Sequence, residues 1–181
     1  MTRKVALVIA HRGYQPVEYG TTKKTLEDEG YSVLTVSDSD AEGSAIATDN
    51  SKTAVMYTLH ELVVDDIDGL FFIGGDGALE HLDTQESYDI LHQAVEAKKV
   101  VGAICIATRI LAHAGILAGK RATGWDGDEK LTGIYQEYGV NYIKESCVVD
   151  EHVITATGPV AAREFAENIV SAIEMQNYDE M

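Results

Sequence analysis

Continuous apolar runs recur along this chain, and between them the hydrophobic period changes to that of a helix. Lys4 to Ala10 (KVALVIA), Tyr31 to Val36 (YSVLTV), Gly69 to Ile73 (GLFFI) and Lys99 to Cys105 do not alternate apolar with polar. Strands of that kind are buried on both faces, as in a parallel sheet covered by helices. The intervening segments supply the helices. Pro16 opens one over Val17 to Glu29, and Gly30 stops it. Others are expected over Thr84 to Ala97, with Tyr88, Leu91 and Val95 on one face, over Ala107 to Ala114, and over Asp128 to Tyr138. Pro159 to Met175 closes the chain with Phe165, Ile169 and Ile173 on its inner face. Ser37 to Asn50 reads as loop with short irregular strands, and Thr58 to Val64 has no clear period. Thr123 to Gly127 interrupts the pattern, and Tyr142 to Val149 with Val153 to Ala156 reads as a hairpin across Asp150 and Glu151. The reading is an α/β sandwich with a mainly parallel sheet, one domain over residues 1–181.

At 181 residues and 45% hydrophobic, with two prolines, the chain can bury a sizeable core. Its formal net charge of −16 argues against nucleic acid or an anionic membrane as partner. No apolar run approaches the roughly 20 residues that span a bilayer. The short apolar start reads as a strand rather than a signal segment, so a cytoplasmic protein is expected. Cys105 and Cys147 do not form a disulfide framework. The six histidines show no metal-ligand spacing and no Cys-x-x-Cys occurs, so neither metal nor cofactor is expected. His11 ends the first strand. His113 lies in an apolar helix, where packing is its simplest role, and Cys147 in ESCVV reads as a small buried hydrophobe.

Ligands in open α/β sheets bind at the carboxyl ends of strands. Three such ends are polar or glycine-rich: His11 to Glu18, Gly74 to Gly77, and Cys105 to Ile106. The glycine turn is not a dinucleotide fingerprint, because Glu80 stands where a third glycine would, and it lacks the Gly-Lys-Ser/Thr of a P-loop. It is a tight turn, or a place where exposed N–H groups hold an anion. Cys105 sits in Ala103-Ile104-Cys105-Ile106-Ala107, where a strand becomes a helix with no residue left for a loop. Small neighbours at such a turn suit a nucleophile elbow, and a helix N-terminus favours a thiolate.

These segments resemble the ThiJ/PfpI superfamily, whose flavodoxin-like, three-layer fold is that of class I glutamine amidotransferases. VALVIAHRGYQPVEY is similar to its first strand and acidic loop, DIDGLFFIGGDGALEHL to its Gly-Gly segment, VVGAICIATRILAHAGILAGKRAT to its cysteine elbow, and VVDEHVITATGP to its ending. The resemblance places Cys105 on the reactive cysteine and Glu18 on a protonated acidic residue that hydrogen-bonds it. It places Gly75 and the Ile106 N–H on the oxyanion hole, with Gly74 and Trp125 as site neighbours. It also implies a homodimer or larger assembly. Three positions depart from the family: Ile106 replaces the histidine of peptidase-like members, Trp125 stands near where others bring a histidine, and Gln15 fills a second acidic position.

Three activities are compatible with these residues. Cys105 could add to a 2-oxoaldehyde as a hemithioacetal, in the manner of the family's glyoxalases and deglycases. It could serve as a redox-responsive thiol in a stress protein. The chain could also act without catalysis, by holding unfolded polypeptides. A peptidase fits less well, because neither Ile106 nor Trp125 can protonate an amine leaving group.

Overall fold

The computed structural model describes residues 3–179. In chain order the elements are β1 (Lys4–Ile9), β2 (Arg12–Tyr14), α1 (Pro16–Asp28), β3 (Ser32–Ser37), β4 (Ser44–Ala47), β5 (Lys52–Ala54) and β6 (Tyr57–Thr58). They continue with β7 (Gly69–Phe72), α2 (Ala78–Leu82), α3 (Gln85–Glu96), β8 (Val100–Ile104), α4 (Thr108–His113), β9 (Arg121–Ala122) and α5 (Leu131–Glu137). Last come β10 (Asn141–Tyr142), β11 (Cys147–Asp150), β12 (Val153–Ala156) and α6 (Ala162–Asp179).

Seven strands form the central sheet in the order β11-β12-β8-β7-β1-β3-β6. All neighbours pair in parallel except β11 with β12, which form the expected hairpin. The apolar runs fill the middle of this sheet, and every described residue from Val5 to Ala10 is buried. Alternate residues of β1 then serve opposite faces. Val5, Leu7 and Ile9 meet Tyr19 and Leu26 of α1 and Phe165, Ile169 and Ile173 of α6. Ala6 and Val8 meet Leu91 of α3 and Ile110 and Leu111 of α4 on the other side. The result is the three-layer α/β sandwich read from the sequence. No described helix is long and apolar enough to cross a membrane.

Several local readings change. Tyr142 does not extend the hairpin; it belongs to β10, which pairs with β9. The helix expected from Asp128 starts only at Leu131, because the Asp126 carboxylate accepts the Leu131 N–H and holds the preceding turn. On α3 the buried positions are Ser87, Ile90, Leu91 and Ala94, while Val95 is exposed, so the inner stripe lies one residue from the expected face. The Ser37 to Asn50 segment contributes β4, which joins β2 and β5 in a small separate sheet. Thr58 to Val64 becomes the end of β6 and a 3-10 turn over Leu59–Glu61.

Candidate functional site

The carboxyl ends of β1, β7 and β8 bring together the three polar strand ends. Cys105 has φ of +63°, the left-handed region that a non-glycine residue enters only when its surroundings fix it. Two donors hold its carbonyl: Thr108 Oγ1 at 3.0 Å and the Trp125 N–H at 3.2 Å. The side chain is thereby lifted off the strand axis, as an elbow requires.

Glu18 reaches the same point from α1. Gln15 caps that helix, its side-chain oxygen accepting from the Val17 and Glu18 N–H groups at 2.6 and 3.0 Å. The Gln15 N–H donates to the Gly74 carbonyl at 2.9 Å, so the helix start is tied to the glycine turn. Gln15, a departure from the family pattern, is therefore the helix cap. Glu18 shares the inward face of α1 with Tyr19, Thr22 and Leu26 and is fully buried. Neither carboxyl oxygen has a well-formed hydrogen bond among the described residues.

Gly74 explains how the pair fits. A Cβ at position 74 would lie 2.7 Å from both Cys105 Cβ and Glu18 Oε1. Only glycine leaves room for thiol and carboxyl to meet over the end of β7. Gly75 has φ of +120° and packs against the backbone of Gly13, Tyr14 and Gln15, so it too is confined to glycine. On the other side a Cβ added at Gly158 would lie 4.0 Å from Cys105 Sγ.

Burial raises the Glu18 pKa from the ordinary 4.5 to about 8; the nearby Gly74 N–H and Cys105 thiol oppose the rise only in part. Glu18 therefore keeps its proton at neutral pH. Burial also pushes the Cys105 thiol up to about 12, followed by the charge of Glu18; the Ile106 N–H and Arg109 pull it down. The thiolate expected from a helix N-terminus is thus not the resting form. Its cause is weak here: a single 3-10 turn over Cys105–Ala107 precedes α4, which has only six residues. The Glu18 contributions to this rise depend on Glu18 being ionised or accepting a hydrogen bond. The two groups consequently titrate as a pair that loses its first proton near pH 8.

One site residue escaped the sequence reading. Arg109 follows Cys105 by one helical turn and is almost fully buried. It donates to both oxygens of Asp128, at 2.6 and 3.0 Å, and its guanidinium carbon lies 5.6 Å from the Trp125 ring centroid. An arginine within the apolar ATRILAHA was the available signal, since a buried guanidinium needs a partner. Trp125 lies beside the elbow, held by its N–H to Cys105 and by Arg109, and offers no ring proton acceptor. His113 is not simply a packing residue, for its Nδ1 bonds Asp83 Oδ2 at 2.7 Å. Cys147 is buried in β11, as expected. His11 pairs with Asp38, at 2.6 Å.

The chain is 32% identical over 175 residues to an uncharacterized protein of Methanocaldococcus jannaschii, covering 96% of this chain and 84% of that protein. An uncharacterized Staphylococcus aureus protein is 27% identical and is covered in full, against 96% of this chain. Among solved structures, a ThiJ/PfpI domain protein from Brachyspira murdochii superposes with a TM-score of 0.90 at 25% identity, over 96% of this chain and 98% of that one. Drosophila melanogaster DJ-1beta superposes with a TM-score of 0.82 over 96% and 91%, and at 21% identity shows the fold alone. The DJ-1/PfpI family matches residues 3–172. With an elbow cysteine, a buried acidic partner and this sheet order already in place, the chain belongs to the DJ-1/PfpI family.

Proposed function

We propose that the chain converts small 2-oxoaldehydes to 2-hydroxy acids through a Cys105 hemithioacetal, with Glu18 moving the protons. The observation that carries this reading is the Glu18 carboxyl: fully buried, placed against Cys105, and with neither oxygen held in a well-formed hydrogen bond among the described residues.

The pair acts once it has lost one proton. Glu18 carboxylate accepts the thiol proton, which leaves a thiolate beside a carboxylic acid. The sulfur attacks the aldehyde carbon, a C–S bond forms, and the carbonyl π electrons move to oxygen. That oxygen takes the proton from Glu18, so Glu18 returns to carboxylate. It can then remove the carbon-bound proton of the hemithioacetal to give an enediolate; the hydroxyl proton passes to the neighbouring oxygen, the carbon proton returns to the adjacent carbon, and the resulting thioester is cleaved by water. Overall, 2-oxoaldehyde plus water gives 2-hydroxy acid, with no outside oxidant or reductant. A base whose ionisation lies near the working pH is suited to this transfer. The N–H groups of Ile106 and Gly75 serve the developing oxyanion in this scheme. Arg109 favours the anionic pair by its charge.

Two features support a second reading as a peroxide-responsive thiol. The Ile106 N–H faces the sulfur, and a protonated Glu18 adds a second donor, the two groups a sulfinate would use. Peroxide would be the oxidant, taken up stepwise by Cys105. With either activity, we read the protein as a stress-related, cytoplasmic member of its family that works as a homodimer.

Consumption of methylglyoxal by wild type, Cys105→Ser and Glu18→Gln tests the first reading. The expected rate rises with pH through about 8 in wild type and is lost in both variants. Wild-type activity equal to that of Cys105→Ser overturns it. Intact mass after peroxide treatment then tests the second, which requires two added oxygens on Cys105.

A further inference from the structure

We propose that His11, Asp38 and His81 form a binding site for a divalent transition-metal ion of the Zn2+ class. The site is separate from the Cys105 pair and independent of the proposed carbonyl chemistry.

The three side chains come from three elements that converge at the carboxyl edge of the sheet. His11 lies just beyond β1, Asp38 directly follows β3, and His81 is in α2. Asp38 Oδ2 lies 2.6 Å from His11 Nδ1 and 3.9 Å from His81 Nδ1. A tetrahedral ion with ligands at 2.0–2.1 Å places its ligand atoms about 3.3 Å apart. The two separations to the carboxylate oxygen, 2.6 and 3.9 Å, bracket that value. The imidazole rings meet edge to face with centroids 4.3 Å apart. Their ligand atoms and the carboxylate oxygen all lie within 4.8 Å of one another.

The second carboxylate oxygen is already committed. Asp38 Oδ1 accepts the His11 backbone N–H at 2.8 Å and the Ser37 hydroxyl at 3.2 Å. Outer partners of this kind fix a ligating carboxylate and leave its other oxygen aimed at the ion. Side-chain exposures of 29%, 17% and 21% for His11, Asp38 and His81 keep the group partly sheltered yet reachable from solvent. One carboxylate oxygen cannot make a good hydrogen bond to both imidazoles in this arrangement, since the second stands at 3.9 Å. An ion would take a lone pair from all three. The N2O donor set suits Zn2+ and its first-row neighbours rather than the oxygen-seeking Mg2+ or Ca2+, and a fourth position stays open.

The site is distinct from Cys105. Two strand spacings of about 4.8 Å separate β1 from β8, and β3 is one further. Its connection to the Cys105 pair runs through α2, which follows the Gly74–Gly77 turn and packs against the turn at Cys105–Ala107. Ion binding would pin that glycine turn to β1 and β3.

The test is Zn2+ titration of metal-stripped full-length protein against a chromogenic chelator. Wild type should take one equivalent, and so should a Cys105→Ser/Cys147→Ser double variant. Loss of an outer partner alone costs about 10–100-fold in affinity. His81→Ala and Asp38→Asn should therefore weaken binding at least about tenfold. Far-ultraviolet circular dichroism of the stripped variants should match wild type, and His81→Gln serves if His81→Ala does not fold. Cobalt substitution should give nitrogen and oxygen ligand-field bands without a thiolate charge-transfer band. No bound equivalent, binding unchanged in both His81→Ala and Asp38→Asn, or binding lost in the double cysteine variant overturns the proposal.

Discussion

Replacing Glu18 with glutamine holds in one neutral form a group that wild type carries as either acid or carboxylate. The folded protein keeps the Glu18 proton up to about pH 8, whereas the unfolded chain releases it near 4.5. Between those values the native state binds more protons than the unfolded state, so the stability contributed by this group falls as pH rises. It is fully present below pH 4.5 and lost through 8. Each pH unit in that window is worth about 1.4 kcal/mol, which comes to about 3 kcal/mol at pH 7. Glutamine pays none of this. The stability of Glu18→Gln relative to wild type should therefore climb by about 3 kcal/mol from pH 4.5 to 7, or roughly 6–12 °C in Tm for a chain of this size. The absolute offset includes whatever partners the buried amide finds, so the change with pH is the informative quantity. Urea unfolding of both proteins at several pH values measures it, and other titrating groups cancel in the difference. A constant difference across this range would refute the reasoning, because it would mean that Glu18 is ionised in the native state or lies in solvent. The same substitution removes the proposed proton carrier, so a more stable protein without turnover is expected.

Mild iodoacetamide labelling followed by peptide mapping should find Cys105 ahead of Cys147, since Cys147 is buried in β11 whereas Cys105 is partly exposed and shares with Glu18 a first ionisation near pH 8. Above about pH 8, where Glu18 is ionised, Glu18→Gln should speed alkylation of Cys105, because it removes the negative charge that disfavours the thiolate. Arg109→Met should have the opposite effect, slowing Cys105 alkylation, and should return the Asp128 carboxyl from about 2 toward the usual carboxylate range in a nuclear magnetic resonance titration. Gly74→Ala should lower stability by about 1–3 kcal/mol in urea unfolding through overpacking and abolish turnover, as its methyl would occupy the space between Glu18 and Cys105. Light scattering should give a dimer or larger, and Val160→Lys should shift it toward monomer, because Val160, in the 3-10 turn before α6, and Val17, at the start of α1, are exposed apolar residues where these two helices pack together.

The sheet was legible because its strands are buried on both faces. Nothing polar interrupts Val5 to Ile9 or Leu70 to Ile73, and runs of that kind have few other uses in a chain of this length. The elbow was legible for a related reason: a strand that runs directly into a helix has no residue to spare, and Cys105 occupies the junction. The boundaries that moved were set by polar contacts rather than by periodicity. Asp126 delays α5, and a one-residue rotation of α3 exposes Val95. The acid and base chemistry was less legible. Glu18 in PVEYGTTKK looks like a solvated position in a polar helix, and only its resemblance to the family marked it. The convergence of His11, Asp38 and His81 left no trace in sequence spacing, because the end of β1, the end of β3 and α2 deliver them from separate parts of the chain.

Gly74 shows why a turn and a reactive pair cannot be treated as separate features. Read alone, Gly-Gly after a strand is a device for reversing the chain, and glycine at 75 meets that need with φ of +120°. Position 74 is not marked by positive φ, so backbone freedom does not explain its glycine. Space does, since a single methyl there would press on both the Glu18 oxygen and the Cys105 Cβ. Its carbonyl also receives the Gln15 N–H that fixes the start of α1, three residues before Glu18. One glycine thus sets both the distance between acid and thiol and the helix that carries the acid. The burial it permits is what lifts the carboxyl toward neutral pH, at a cost in stability. The stability contributed by a carboxyl kept there falls as pH rises toward 8, and the chemistry proposed for Cys105 gives it a use.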